Sequence, residues 1–542
     1  MAGDQTKFVF IFGGVMSGIG KGVTVASIGR ILKNLGIRAT AVKIDPYLNV
    51  DAGTMNPIEH GEVFVTEDGM ECDQDIGNYE RFLDENILKD NYMTSGLVYL
   101  TVIQKERNLE FGGKCVETVP HIPEEVIRRL NVAAHKTKAE VVIVEVGGTV
   151  GEYQNLVYLE AARMLKLQKP ENILFVLVSY LPVPSSLGEM KTKPTQYAVR
   201  TLNTAGIQPD IIIARASSPI DAIRKKKISI FCSVKPEDVI SAPDVSNIYE
   251  IPVNFEKDKI SLRLIEKLGI KPKSKNGRAW QKLIENIKKS AKPVKIGIVG
   301  KYFASGSYTL KDSYISVIEA VKHAAWSLGR KPEIVWLNAE DYEKDSKSLK
   351  ELESYHGVIV PGGFGTRGTE GKIKAIEYLR NHNIPFLGLC YGLQMAVIDY
   401  ARNVCKLKGA HSTEIDPAAP HPVISTIPDQ AVNISKKDMG GTMRLGSYAC
   451  ELKNGTFARK LYNTKVVLER HRHRYEVNND YVSALEKNGL VVSGTNPKTN
   501  LVEIIELPKH KFFLATQFHP EFKSRPLSPH PLFKGFIEKA IQ

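Results

Sequence analysis

Apolar residues in this chain fall into short, nearly unbroken runs, separated by longer stretches in which they recur every three or four positions. The runs at 7–12, 141–146, 173–178 and 211–214 read as buried strands, and the stretch 23–35 after the first of them has helical spacing. The pattern restarts at 294–300. Further runs follow at 358–360 and 384–389, and a helical pattern opens at 391. Such alternation predicts an α/β fold with two doubly wound, mainly parallel-sheet domains. Between 268 and 293 Lys, Ser, Asn and Gly rise and prolines stand at 272 and 293, while Trp280, Leu283, Ile284 and Ile287 keep helical spacing. The expected organisation is a first domain over 1–267, a basic, partly helical linker over 268–293 and a second domain over 294–542.

Composition narrows the function classes. A chain of 542 residues, 43% hydrophobic and 25% charged, is globular and too long for one core. The run 8–12 is short and lacks a basic lead, so it is not a secretory signal. No run approaches the ~20 apolar residues of a membrane span, and no membrane association is expected. Six cysteines without a CxxC pair argue against a disulfide framework or structural zinc and fit a reducing cytoplasm. The net charge of +13 is concentrated at 224–227 and 267–292. No nucleic-acid motif accompanies it, so a solvated face or small polyanions such as nucleotides account for it better than nucleic acid.

Two constellations carry chemistry. Gly388-x-Cys390-x-Gly392, between a buried strand and a helix, is the cysteine analogue of a nucleophile elbow. His519 and Glu521 supply a base and the carboxylate to orient it. The glycine loop Gly362-Gly363-Phe364-Gly365 and the N–H of Tyr391 are candidates for an oxyanion hole, and Arg472 and Arg474 for gripping an α-carboxylate. Together these point to acyl transfer from a carboxamide, with release of ammonia. In the first half, residues 13–22 form a glycine loop between a strand and a helix, which suits phosphate, with Lys21 as a point charge. Val15 stands where GxxxxGK[ST] has its first glycine, and Gly22 replaces the magnesium-binding hydroxyl. Magnesium then needs other ligands, for which Asp73, Asp75 and Glu145 are candidates. The segment 191–196 suits a triphosphate or a basic surface loop, and Lys227 alone reads as a solvated cation.

These residues carry a resemblance. The second half resembles a class I (triad) glutamine amidotransferase domain, and the whole chain resembles the CTP synthase family. The carrying segments are 13–22, 43–51, 53–57, 60–65, 78–82, 145–151, 191–196, 441–446 and 470–478. The resemblance implies that ATP phosphorylates O4 of UTP and that ammonia displaces the phosphate to give CTP. It implies ATP and phosphate contacts at Ser17, Gly18, Ile19, Gly20, Lys21, Gly22, Lys43 and Asp75, with Mg2+ on Asp75 and Glu145. UTP, or CTP as feedback inhibitor, would be held by Ser17, Lys191, Thr192, Lys193, Pro194, Thr195, Gln196 and Lys227. It implies the triad Cys390, His519 and Glu521, with Gly363, Gln394, Glu414 and Arg474 around glutamine, and an ammonia passage at His60 and Val63. It further implies a lid at 441–446 responding to GTP as activator, and a homotetramer. The chain departs from the family at Gly18, where many members carry Ser, at Gln154, where a second acid is common, and over 112–117.

Three rivals share features. An amidoligase of the cobyrinate-diamide type also joins a phosphate loop to a triad glutaminase, but would lack the segments 43–65 and 191–196. A nucleotide-gated assembly protein would have no use for a triad, and a nucleic-acid binder rests on charge alone.

Overall fold

The computed structural model describes residues 6–186, 188–274, 276–301, 304–305, 308–309, 312–426 and 440–542. The chain forms two compact units. One comprises Met1–Asp51 with Asp75–Ile284, the other Ala52–Gln74 with Glu285–Gln542.

The first unit is built on a seven-stranded sheet in the order Tyr92–Thr94, Ala39–Asp45, Val141–Val146, Lys7–Gly14, Ile173–Tyr180, Ile211–Ala216, Val239–Pro243. Every neighbouring pair is parallel. Strands covered by helices on both faces are apolar throughout rather than alternating, which is why the runs at 8–12 and 141–144 are unbroken. The first strand lies at the centre, with Phe10 opposite both Val144 and Phe175. Strand order reverses on either side of it, so the loop after Gly14 opens at the switch point where such sheets receive ligands. The helix Lys21–Asn34 follows that loop. The expected helical segment before position 293 is the helix Arg278–Lys289. Its Trp280 is buried in the first unit, donates from Nε1 to the Tyr249 carbonyl at 2.9 Å and packs on Phe82.

The second unit has a nine-stranded sheet in the order Arg330–Asn338, Lys292–Gly300, Gly357–Val360, Phe386–Leu389, Phe513–Thr516, Val502–Glu506, Val491–Thr495, Arg444–Leu452, Val466–His473. The first five strands run parallel. The remaining neighbours are antiparallel, an extension the strand–helix alternation does not announce. A hairpin of Val63–Val65 and Glu71–Asp73 also belongs to this unit. Fully buried Arg470 fixes it, donating to Glu67 Oε2 at 2.9 Å and to the Val65 carbonyl at 3.1 Å, and Arg472 donates to Glu71 Oε1 at 2.8 Å.

The strand Phe386–Leu389 and the helix Tyr391–Asn403 meet at Cys390, whose φ of 51° lies in the left-handed region. Gly392 makes the turn possible: a Cβ there would stand 2.1 Å from the Val360 carbonyl oxygen. That oxygen is backbone of the neighbouring strand and cannot move aside cheaply. Gly392→Ala is therefore expected to destabilise the second unit by about 2–3 kcal/mol and to misplace Cys390. Urea unfolding and glutamine turnover together check this, and a variant with parental values in both would refute it.

Candidate functional site

In the second unit a cavity of about 540 Å³ gathers residues from widely separated stretches, among them Gly53, Val63, Gly363, Cys390, Glu414, Arg474, His519 and Glu521. Cys390 sits at its wall because its own N–H is tied to the Thr516 carbonyl at 2.6 Å, on the adjacent parallel strand. Three residues beyond Thr516 the chain delivers His519, whose Nδ1 meets Glu521 Oε1 at 2.7 Å. His519 Nε2 is buried and has no hydrogen-bond partner among the described residues. Burial works against a charged imidazole, but Glu521 and Cys390 more than offset it and hold His519 up at about 10. A base in this state keeps its proton near neutrality and can pass it to a leaving amine.

The residues expected around glutamine also line this cavity. Gln394, buried, donates from Nε2 to the Tyr475 carbonyl at 2.9 Å. Glu414 accepts from the Gly365 N–H at 2.7 Å, and burial raises its carboxyl above the usual range. Arg474 donates to Thr442 Oγ1 at 3.1 Å. Arg472, the other expected carboxylate grip, is engaged by Glu71 and by the Gly53 carbonyl at 3.3 Å. Val63 lines the cavity, whereas His60 is not among its wall residues and pairs through Nε2 with Asp73 Oδ2 at 3.5 Å. Asp73 is thereby a partner of His60 rather than a solvated loop acid. Sequence reasoning missed Gln517, whose Nε2 lies 3.7 Å from Cys390 Sγ. Its place two residues before His519 was the only signal.

The first unit holds the second constellation. Gly18 and Gly20 have φ of 71° and 83°, and Val15 has φ of 82°. The motif's first glycine is missing, yet the backbone keeps the left-handed conformation that glycine would supply, at a cost Val15 bears. Ser17 and Gly18 are exposed at the loop tip, while Ile19 is buried. Lys21 is buried and donates to the Gly148 carbonyl at 2.8 Å, and desolvation lowers its pKa. The change at Gly22 has a steric reason. A Cβ there would lie 2.0 Å from Asp75 Oδ1, so the Asp75 carboxylate fills the space of the missing hydroxyl side chain.

Lys43 joins the acids of this site. Its Nζ lies 2.6 Å from Asp75 Oδ2, 3.0 Å from Glu145 Oε1 and 3.5 Å from Asp45 Oδ1. Tyr79 donates to the other oxygen of Glu145. Burial raises the carboxyls of Asp45 and Glu145 above their ordinary values, and Lys43 opposes this. Among the described residues no group of three or more His, Cys, Asp or Glu side chains converges as a metal cage. The carboxylates of Asp75 and Glu145 beside the glycine loop would instead suit a cation that takes its other ligands from phosphate and water.

Residues 191–196 lie at the start of the helix Lys193–Thr204. Thr195 is buried and bonds Ser179, Gln196 donates to Thr192 Oγ1 at 3.1 Å, and Lys191 reaches Glu189 at 2.7 Å. Lys193 is exposed, and Pro194 opens the first turn. With no acid in that turn and no side-chain cap, the helix start favours an anion. Lys227 is exposed on the helix Ala222–Cys232.

Comparison with known proteins bears on both constellations. The family model described as CTP synthase N-terminus matches residues 7–270, and that described as glutamine amidotransferase class-I matches 309–539. The CTP synthase of Pyrococcus abyssi is 50% identical over 538 residues, covering 99% of this chain and 98% of the relative. That of Sulfolobus acidocaldarius is 49% identical over 536 residues, covering 99% and 100%. A solved structure, the glutaminase domain of Trypanosoma brucei CTPS with bound acivicin, is 36% identical with a TM-score of 0.42, covering 46% of this chain and 94% of that one.

The raised His519 gives a pH signature. Its folded value of about 10 lies above the model-compound 6.5, so the stabilisation is complete below about pH 6.5 and is lost as pH rises through 10. Glu521→Gln is expected to lower the melting temperature of the second unit at pH 6–7, with the deficit shrinking above pH 10. A deficit independent of pH in thermal scans would refute the coupling.

Proposed function

The chain belongs to the CTP synthase family, and from that premise we propose which of its residues carry each step of the reaction. The protein is an ATP-dependent ligase that aminates UTP to CTP with nitrogen taken from glutamine. The observation that supports the residue assignment best is Cys390, held on its turn beside the His519–Glu521 pair in one cavity.

Cys390 Sγ attacks the carboxamide carbon of glutamine, and backbone N–H groups of the loop at Gly363 and of Tyr391 receive the oxyanion. His519 passes a proton to the departing ammonia, and Glu521 holds the ring in register. Water then cleaves the thioester, with His519 as the base. Gln394, Glu414 and Arg474 orient glutamine, the last through its α-carboxylate. Val63 and His60 line the way by which ammonia leaves.

In the first unit the loop Ser17-Gly18-Ile19-Gly20-Lys21-Gly22 cradles the ATP phosphates. Lys21 and Lys43 neutralise the charge on the transferring phosphoryl group as O4 of UTP is phosphorylated. Ammonia then displaces that phosphate. Asp75 and Glu145 would hold Mg2+, which would supply neutralising charge for the phosphates when bound. The segment Lys191-Thr192-Lys193-Pro194-Thr195-Gln196, with Ser17 and Lys227, binds the triphosphate of UTP or of inhibitory CTP. We propose further that GTP activates through the lid 441–446, that the protein works as a cytoplasmic homotetramer, and that 1–267, 268–293 and 294–542 act as synthetase domain, linker and glutaminase domain, with 52–74 contributing to the last.

The test is product analysis with ATP, Mg2+ and UTP, once with glutamine and once with ammonium. CTP from both, with glutamate only in the first, is expected. Cys390→Ala should lose glutamine-dependent synthesis by about three orders of magnitude or more and keep ammonia-dependent synthesis within about twofold. Equal loss with both nitrogen sources would refute the division of labour. Lys21→Ala should abolish synthesis from either source, and retained ammonia-dependent turnover would remove Lys21 from the phosphate site.

A further inference from the structure

The loop after the strand Gly357–Val360 can stabilise an oxyanion only if its peptide planes are turned the right way. Several groups grip it from its carbonyl side. Lys301 donates to the Phe364 carbonyl and, at 3.0 Å, to that of Gly365. The Tyr391 hydroxyl donates to the same Gly365 oxygen at 2.9 Å and bonds Thr369 Oγ1 at 2.8 Å. Lys372, on the helix Thr369–Asn381, is fully buried, with Nζ 3.4 Å from the Pro361 carbonyl oxygen and 5.1 Å from the centre of the Tyr391 ring. Lys301 lies 5.2 Å from the same ring.

Lys372 has no assigned task in the reaction and an unusual setting for a lysine. Desolvation and the nearby Lys301 push its pKa well below the ordinary lysine range, with Cys390 opposing them. No carboxylate pairs with it among the described residues. Burial disfavours the charged form of this amine, and an N–H of Lys372 within reach of a carbonyl serves as a hydrogen-bond donor. Its acceptor matters, because the carbonyl and N–H of one trans peptide point in opposite directions. With Pro361 O turned toward Lys372, the Gly362 N–H points the other way. Gly362 itself lines the cavity, and a Cβ on it would stand 3.0 Å from His519 Cε1 and 3.9 Å from Cys390 Cβ.

We propose that Lys372 is a positioning residue for glutamine hydrolysis: by holding the Pro361 carbonyl it turns the Gly362 N–H toward Cys390 as a donor to the oxyanion. The proposal rests on Cys390, His519 and Glu521 being the glutaminase triad. A donor aimed at the developing oxyanion acts on the transition state, so its loss lowers kcat and leaves substrate binding and thiol reactivity alone.

The experiment compares Lys372→Met and Lys372→Gln with the parent in the full-length protein. It reads kcat and KM for glutamine, ammonia-dependent CTP formation, and the rate of Cys390 alkylation by iodoacetamide. For Lys372→Met the expected result is a fall in kcat of about 10- to 100-fold, with KM, ammonia-dependent turnover and alkylation each within about threefold of the parent. Lys372→Gln, which restores an N–H donor, should recover most of that loss. A parental kcat in the Met variant overturns the proposal. So does a fall in both variants matched by slower alkylation, which makes Lys372 a packing residue only. If the Met variant does not fold, Lys372→Ala, which also lacks a donor, is judged by the same split between kcat and alkylation. A parent enzyme that still uses glutamine after complete alkylation of Cys390 would instead refute the triad assignment.

Discussion

The hydrogen bond from the Cys390 N–H to the Thr516 carbonyl is the contact on which the second unit's chemistry depends. It fastens the end of one parallel strand to the end of its neighbour, and those two strands come from distant parts of the chain. One strand leads through Cys390 into the helix Tyr391–Asn403. The other leads within three residues to His519 and within five to Glu521. Parallel pairing places both carboxyl ends on the same edge of the sheet, where a base and a nucleophile can meet. The left-handed backbone of Cys390 is the local strain of this arrangement, and the close approach of Gly392 to Val360 makes it tolerable.

Around both constellations, buried charge is balanced locally. Lys43 sits among Asp45, Asp75 and Glu145 in the first unit. Arg444 sits between Glu476 and Glu503 in the second, while Arg470 and Arg472 hold Glu67 and Glu71. A charge removed from water is tolerated only with partners of good geometry, so these pairs fix the walls around each site rather than merely adding stability. The same logic explains Gly22. A hydroxyl residue would collide with Asp75, and the carboxylate supplies the oxygen that the residue lacks.

Much of this was legible along the chain. The unbroken apolar runs located the parallel strands, because a strand covered on both faces has no polar face to show. Gly388-x-Cys390-x-Gly392 and residues 13–22 announced their turns, since few residue types tolerate the backbone each turn needs. Less was legible where contacts are made by side chains from afar. Periodicity and composition in 52–74 do not mark it as a wall of the Cys390 cavity, because what ties it there is Arg470 and Arg472, some four hundred residues away. Arg472 read as a substrate grip for the same reason: its commitment to Glu71 is a tertiary fact.

Local geometry is already set along the chain: two α/β frameworks, the turn at Cys390, the glycine loop 13–22 and the spacing of His519 and Glu521. Those depend on periodicity and on the conformational range of single residues, and both are written locally. The folded arrangement settles which cations are occupied by acids, that Asp75 fills the space beside Gly22, and that Lys372 and Lys301 grip the loop facing Cys390. Such assignments depend on which side chains the fold brings within hydrogen-bonding distance, and sequence separation carries no record of that distance.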